Sequence, residues 1–250
     1  FEKAKKLKTW AADKSVKVIF PLKSQNKLYD SRNNDFFMDP NEAALNYSLA
    51  KHLSGLDSIQ LVFIKTKDSL DALKQDRFLD IYYNLNSPSK LNEASPSNYT
   101  FFVNKKSVKT MYVLLSEDPA MIKELLVFAN EKENVMVYGK AEWLKKCKYV
   151  SSIENTSPFR YAVGKYLNYN CEAVKTVHRN YRRKFNSDLT KMSAIGFDAT
   201  LNMVLYSLYN IPLPHGLVHE FQFDYEGTRL NNNVGGFILQ FDNLNISIVD

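Results

Sequence analysis

The stretch TMYVLLSEDPAMIKELLVFANEKENVMVYGKAEW, residues 110–143, decides the fold. It begins with a β-rich run over 110–115 and ends with another over 135–138, which predicts two short strands. Between them, Asp118–Pro119 has the form of a helix N-cap followed by proline at the first helical position. The apolar residues that follow return at helical spacing: Ile122, Leu125, Leu126 and Ala129. A strand, a helix and a strand in this order predict a βαβ unit with parallel strands.

The same alternation extends toward the N-terminus. Strands are predicted over 16–20, 59–64 and 79–85, and a weaker helix over 69–78. Asp39–Pro40–Asn41–Glu42 predicts a helix with Asp39 as its N-cap and Pro40 at its first position, ended by Gly55. Residues 86–106, rich in Ser and Asn with two prolines, are interpreted as a long surface connection. Strands that alternate with helices predict an α/β protein with a mostly parallel sheet covered on both faces.

The C-terminal half predicts a change of body. Residues 147–170 are polar and read as a crossover, and helices are expected over 171–185 and 192–210. Strands are predicted over 218–223, 236–241 and 245–249, the last two joined at Asp242–Asn243 as an antiparallel hairpin.

Composition excludes several classes of protein. The chain has 250 residues and a net charge of +6, and none of its 8 glycines stand in the G-x-G spacing of a dinucleotide fingerprint or in the G-x-x-x-x-G spacing of a P-loop, so neither motif is present. No apolar run approaches the ~20 residues of a membrane helix, so no transmembrane segment is expected. Cys147 and Cys171 fit no zinc-ligand spacing, and both one disulfide and two free thiols stay open.

No residue pattern predicts catalysis or a cofactor. His215 and His219 stand four apart beside Glu220, but the Pro and Gly residues around them exclude a zinc-protease helix, so a loop entering a strand is the favoured interpretation and no metal site is expected. There is no G-x-S-x-G elbow and no paired acid/base carboxylates. The basic cluster at 178–184 is interpreted as a solvated helix face, so nucleic-acid binding is the weakest alternative and is not expected. We therefore predict a protein that is not an enzyme and has no cofactor.

Five segments in order resemble the type 1 periplasmic binding proteins, the superfamily of the branched-chain amino-acid-binding proteins. VIFPLKSQNKLYDSRNNDFFMDPNEAALNYSLAKHL (18–53) is similar to their first inter-lobe crossover, VKTMYVLLSEDPAMIKELL (108–126) to a second-lobe strand and helix, and NVMVYGKAEW (134–143) to the next strand and turn. VHRNYRRKFNSDLTKMSAIGFDATLNMVLYSL (177–208) resembles the return helices with their G-Y-D-A motif, here Gly196–Ala199, and GGFILQFDNLNISIV (235–249) the final strand pair. The closest likeness is to an envelope branch sometimes linked to LysM modules.

The resemblance implies two α/β lobes that close on a ligand. Lobe one would comprise 1–37 and 155–228, and lobe two 38–154 and 229–250. Because ligands of open α/β sheets bind beyond the carboxyl ends of the strands, the loops there are the candidate site. Ser24 and Gln25 would face the ligand from lobe one, and the following from lobe two: Ser116, Glu117, Asp118, Lys140 and Trp143. Alternatively, Asp118 is a helix cap, Ser24 a turn hydroxyl and Trp143 a core anchor.

The implied function is that of a non-catalytic solute-binding domain of the Gram-negative periplasm or cell envelope, with transport and outer-membrane lipoprotein attachment as further expectations. Bulky Lys23, Gln25 and Asn26 depart from the small residues of the amino-acid binders, so the alternative is a ligand-free scaffold in an envelope complex. The chain enters the family pattern part-way through lobe one, so we expect that lobe to be incomplete and completed by upstream sequence or by a partner chain. Trp10, Ile19, Val204 and Leu208 should then be exposed.

Overall fold

The computed structural model describes residues 2–14, 16, 18–21, 36–56, 59–66, 69–85, 91–103, 109–152, 157–209, 215–223 and 231–249. The helices are α1 (Glu2–Asp13), α2 (Glu42–Ser54), α3 (Ser69–Asn84), α4 (Pro119–Asn130), α5 (Trp143–Lys146), α6 (Glu172–Phe185) and α7 (Lys191–Tyr209). The strands are β1 (Ile19–Phe20), β2 (Phe36–Phe37), β3 (Ile59–Ile64), β4 (Leu91–Ala94), β5 (Lys109–Val113), β6 (Val135–Gly139), β7 (Phe159–Val163), β8 (Asn231–Asn232), β9 (Phe237–Asp242) and β10 (Asn245–Ile248).

The chain divides into two compact units. Unit 1 contains Phe1–Leu45 and Gly164–Phe237, and unit 2 contains Asn46–Val163 and Ile238–Asp250. The predicted lobe boundaries, 1–37 with 155–228 and 38–154 with 229–250, stay a prediction. No helix among the described residues is long and apolar enough to cross a bilayer.

Unit 2 is built on a seven-stranded sheet in the order β10-β9-β7-β6-β5-β3-β4. The pairings from β4 through β3, β5 and β6 to β7 are all parallel, whereas β9 and β10 are antiparallel. Met111, Tyr112 and Val113 of β5 are all buried, as expected for a central strand covered on both faces. One face packs against Leu53 of α2 and Phe78 of α3. The predicted α/β fold with mostly parallel sheets is confirmed.

Unit 1 has a small parallel sheet in the order β1-β2-β8, together with α6 and α7. The buried Asn233 side chain fixes the chain beside this sheet, since its amide donates to the carbonyls of Met38 and Glu220 and its oxygen accepts from the N–H groups of Gln222 and Gly235. Asn233 therefore satisfies backbone groups that no strand partner meets.

Three of the four side chains that were expected to be exposed in unit 1 are exposed, and Ile19 is not. Trp10 is 55% exposed, Val204 45% and Leu208 68%, and Ile19 is half-buried. Large apolar side chains thus face solvent on α1 and α7.

Of the two predicted helix N-caps, one is confirmed and one is wrong. Asp118 caps α4 with Pro119 at its first position, as predicted. The predicted cap at Asp39 is wrong. Helix α2 begins at Glu42, where the Asn41 side chain accepts from the N–H of Ala44 at 2.8 Å. Asp39 instead forms an ion pair with Lys165 at 2.8 Å.

Two predictions between β3 and β5 were wrong. The strand expected over 79–85 is the second half of α3, because Phe78, Leu79 and Tyr82 lie on one helical face and are buried. The expected surface connection over 86–106 contains β4 and a 3-10 helix, Tyr99–Phe102. β4 has mixed polarity because, among the residues that the structure describes, it lies at the edge of the sheet and pairs with β3 alone.

The C-terminal half needed one addition and one correction. Within the crossover expected over 147–170 the chain passes from unit 2 to unit 1 after Val163, and this segment also contains β7. In place of a strand over 218–223, the described residues show only single bridges, such as Phe223 to Asn233. The backbone N–H groups of 217–219 donate to the Asp198 carboxylate rather than to a neighbouring strand. The β9–β10 hairpin is confirmed, with Asn243 and Leu244 at positive φ in its turn. Both cysteines are free, Cys147 buried and Cys171 exposed.

Candidate ligand site at the strand ends of unit 2

A cavity of about 690 Å³ lies at the carboxyl ends of β3 and β5, beside the first turns of α3 and α4. Its volume falls within the range of small-molecule sites, and strand ends of parallel sheets are where such ligands bind. Most of its lining residues have polar side chains, namely Thr66, Asp71, Lys74, Ser116, Glu117, Asp118 and Glu124, and Pro96, Ala120 and Met121 complete the lining. Three predicted site residues, 116–118, are therefore brought together on one wall.

Glu117 is held by two lysines. Lys140 Nζ lies 2.6 Å from one carboxylate oxygen, and Lys146 contacts the other. Hydrogen bonds from Lys140 and Lys146 lower the pKa of Glu117 to about 2. Glu117 is thus ionised, and both of its carboxylate oxygens are paired with lysines. Lys140, one of the predicted site residues, reaches the cavity wall through this ion pair.

Ser116 and Asp118 have local structural roles. The carboxylate of Asp118 accepts from the N–H of Ala120 at 3.0 Å, which caps α4. Ser116 is buried, and its hydroxyl accepts from the N–H of Asp118 at 3.2 Å. These bonds fix the backbone of the cavity wall.

Trp143 is placed behind that wall. It is fully buried and packs on Phe159, with ring centroids 5.4 Å apart. Its Nε1–H donates to the carbonyl of Ser116 at 2.8 Å. Gly139 lies against the Trp143 ring, and a methyl group there would overlap it. Trp143 therefore positions the loop after β5 from the core side.

Sequence reasoning missed the wall formed by α3 and the loop after β3. Buried Gln75 clamps the strand end, because its oxygen accepts from the N–H of Thr66 at 3.0 Å and its amide donates to the Thr66 hydroxyl at 2.6 Å. Glu124 accepts from the Tyr99 hydroxyl at 3.2 Å. Applying the strand-end rule to β3, as to β1, β5 and β6, would have found Thr66.

A second polar cluster joins β6, β7 and β9. Arg160 donates to Gln240 at 3.0 Å and to the Tyr138 hydroxyl at 3.4 Å, and its guanidinium lies 5.9 Å from the Tyr138 ring. The His52 ring lies 5.8 Å from that of Tyr138. Burial first, and then the Arg160 charge, lower the pKa of His52, which keeps it neutral at pH 7.

The lining residues of the cavity include more acids than bases. Four of its lining residues are carboxylates, Asp71, Glu117, Asp118 and Glu124, against the single cation Lys74. Within the part of the chain that the structure describes, no group of three His, Cys, Asp or Glu residues could hold a metal ion. Ser24 and Gln25 lie outside the described residues.

Solved structures show the same architecture at low sequence identity. An ABC transporter substrate-binding protein from Desulfitobacterium hafniense, in complex with Leu, aligns with a TM-score of 0.54 and 13% identity over 96% of this chain and 75% of that chain. A branched-chain amino acid ABC transporter periplasmic ligand-binding protein from Burkholderia xenovorans gives 0.60 and 11% over 98% and 72%. This chain has the type 1 periplasmic binding protein-like fold.

The same fold likeness extends to a regulatory protein. The C-domain of LpoA from Haemophilus influenzae, a regulator of PBP1A, aligns with a TM-score of 0.53 and 12% identity over 98% of this chain and 86% of that chain. No protein-family model and no curated relative matches the sequence. The type 1 fold therefore occurs in proteins of both kinds, solute binders and a regulator.

Proposed function

We propose that this protein is a non-catalytic, binding-protein-like domain whose unit 2 holds a small ligand with a positively charged amino group at the carboxyl ends of β3 and β5. The single observation that supports this proposal is the cavity of about 690 Å³ lined by four carboxylates and one lysine. A cleft lined by one sign of charge attracts ligands of the opposite sign.

The charge that faces a ligand comes from three of those carboxylates. Glu117 contacts both Lys140 and Lys146, so these three residues together carry one positive charge. Asp71, Asp118 and Glu124 outnumber that charge and Lys74 by one, and this excess favours an ammonium over a carboxylate group. Met121 lies on the same wall and offers apolar contact for the rest of the ligand.

A thermal-shift screen tests this proposal. The purified protein is heated with amines, amino acids and carboxylic acids matched in size, and we expect only compounds with an amino group to raise the melting temperature. A ligand at 100 times its Kd should stabilise by about 2.7 kcal/mol. Glu124→Gln should abolish the shift, whereas Asp80→Asn, an exposed residue of α3 outside the cavity, should keep it. Equal shifts with the carboxylic acids would contradict the proposal.

A second candidate function is a ligand-free scaffold in a cell-envelope complex. One observation favours it: Ser116, Glu117 and Asp118 already form hydrogen bonds with other groups of this chain, which leaves fewer of their polar atoms for a ligand. The fold likeness to the LpoA C-domain adds support. In that case no compound shifts the melting temperature, and affinity capture from envelope extracts retrieves a stable protein partner.

We further propose a location in the periplasm or cell envelope, with attachment as an outer-membrane lipoprotein. The periplasmic neighbour from Burkholderia xenovorans supports the first part. Fractionation of cells that express the natural full-length protein tests the location, and labelling with radioactive palmitate tests the lipid. Recovery in the cytosolic fraction would contradict both. Contacts from Ser24 and Gln25 of lobe one stay a prediction of the same proposal.

A further inference from the structure

A second concave surface lies in unit 1, between α6 and α7. This groove has a volume of about 430 Å³. Helix α6 contributes Val177, Tyr181 and Phe185, and α7 contributes Gly196, Phe197 and Val204. Apart from a few hydroxyls the lining is apolar, so the groove differs in chemistry from the acidic cavity of unit 2.

Large apolar side chains of the groove face solvent. Phe185 is 56% exposed, Phe197 40% and Val204 45%, and Leu208, 68% exposed, continues the same stripe of α7. Positions 197, 201, 204 and 208 follow helical spacing and extend over about 16 Å, or three turns. Contiguous apolar surface on a folded unit marks an interaction site.

The groove is bordered by positive charge. Helix α6 carries five Lys or Arg residues, of which Lys175 pairs with Glu172 and Arg182 with Asp188, so Arg179, Arg183 and Lys184 supply the rest of its positive charge. Lys184 lies at the edge of the groove, with its Nζ 5.5 Å from the centre of the Phe185 ring. The only charged residues of α7 are Lys191 and Asp198, and Asp198 is fully buried. An occupant with acidic side chains beside its apolar ones would complement this border.

We propose that the groove between α6 and α7 binds an acidic amphipathic helix of a partner protein. Its three-turn stripe matches the apolar face of such a helix, and its basic border matches the acids that flank that face. A second copy of this chain would bring another basic α6 against the first, and like charges repel. A membrane is a poorer match, because a concave groove between helices fits protruding side chains better than a lipid surface.

Gly196 provides a way to close the groove without damaging the unit. A Cβ added at Gly196 meets no atom within 4 Å, so the space above it belongs to the groove. Gly196→Leu should fill that space, and because leucine favours helix more than glycine does, α7 should not be weakened. Gly196→Ala is the matched control, since it gives a similar helical benefit and fills little of the groove.

The probe is a fluorescein-labelled peptide of about 18 residues, with leucine along one helical face and glutamate elsewhere. Fluorescence anisotropy measures its binding to the full chain, beside a peptide with lysine in place of glutamate. We expect the glutamate peptide alone to bind, with an affinity that falls as salt rises. Gly196→Leu should weaken binding by about tenfold or more, because the peptide loses the apolar contact that the leucine now occupies. Gly196→Ala should bind the peptide as the parent chain does. Lys184→Glu should weaken it, whereas Lys51→Glu, the same charge change on α2, should not.

Several outcomes would overturn the proposal. These are absence of binding by the glutamate peptide, equal binding of the lysine peptide, and unchanged binding by Gly196→Leu with an intact melting curve. Two controls address the other occupants. If the protein sediments together with vesicles rich in anionic lipid, and Gly196→Leu no longer does so, the groove binds membranes. Self-association in analytical ultracentrifugation, lost in the same variant, would assign it to a second copy.

Discussion

Asp198 should be a main determinant of the stability of unit 1. Its side chain is fully buried, and its carboxylate accepts from the N–H groups of Leu217 at 2.6 Å, Val218 at 2.9 Å and His219 at 3.1 Å. The ring Nδ1 of His219 lies 3.1 Å from the same carboxylate. One side chain of α7 thus holds a whole turn of the following segment.

The magnitude can be worked from these bonds. In Asp198→Ala, three buried N–H groups lose their acceptor, and each unsatisfied donor costs about 1–3 kcal/mol. The variant no longer has to desolvate a carboxylate, which offsets several kcal/mol. Together the three donors cost about 3–9 kcal/mol, so after this offset the net loss in free energy of unfolding should be a few kcal/mol and no less than about 1 kcal/mol. Gly216→Ala should also destabilise, because its methyl group would overlap the Asp198 carboxylate.

Urea unfolding followed by circular dichroism measures the loss, and hydrogen exchange locates it. The amides of 217–219 should exchange far faster in Asp198→Ala than in the parent chain. Asp188→Asn is the matched control, because Asp188 is exposed and its ion pair with Arg182 lies in solvent, so its change should stay within about 0.5 kcal/mol. A loss below about 1 kcal/mol in Asp198→Ala, with protected amides, would refute this reasoning.

Three other predictions test single contacts. Gly139→Ala should destabilise by about 1–3 kcal/mol because its methyl group overlaps the Trp143 ring, whereas Gly196→Ala, in open space on α7, should stabilise by about 0.5–1 kcal/mol, both measured by urea unfolding. The pKa of Glu117 is lowered to about 2, so its ion pairs stabilise the fold above the ordinary pKa of ~4.3, and this stability is lost as the pH falls toward 2. In Glu117→Gln the free energy of unfolding should therefore fall by about 1–2 kcal/mol less between about pH 4.3 and pH 2 than it does in the parent chain. An unchanged pH dependence over that window would contradict this prediction. In Trp10→Phe, the remaining Trp143 should emit at short wavelength and resist acrylamide, because it is fully buried; a red-shifted, readily quenched emission would contradict its placement.

Local sequence signals were sufficient where one short segment decides the structure. Asp118–Pro119 predicts the start of α4 because an N-cap needs only its own side chain and an N–H two residues on. The β9–β10 hairpin follows from alternation and an Asn at the turn. The strand predicted over 79–85 failed because Ile81, Tyr82 and Tyr83 have high β propensity, while packing of Phe78 and Tyr82 on the sheet selects a helix.

The candidate site could be predicted only in outline. The strand-end rule pointed to residues 116–118, which line the cavity, because the carboxyl ends of parallel strands meet at one edge; their role in ligand binding stays a prediction. It did not predict that Lys140 and Lys146 neutralise Glu117, since residues 23 and 29 positions away along the chain are brought together only by the fold. The Thr66–Gln75 clamp was missed for a related reason: residue 75 lies within the helix predicted over 69–78, but only folding brings its side chain to the end of β3.

The sequence by itself determined the α/β alternation, the absence of G-x-G phosphate loops and the basic character of α6, because each depends on neighbouring residues. Tertiary structure alone decided which polar groups satisfy one another. Asp198 reads as one acid in a helix, yet it replaces a strand partner for 217–219. The physical reason is that a buried N–H must find an acceptor, and the chain supplies whichever one folding brings within reach.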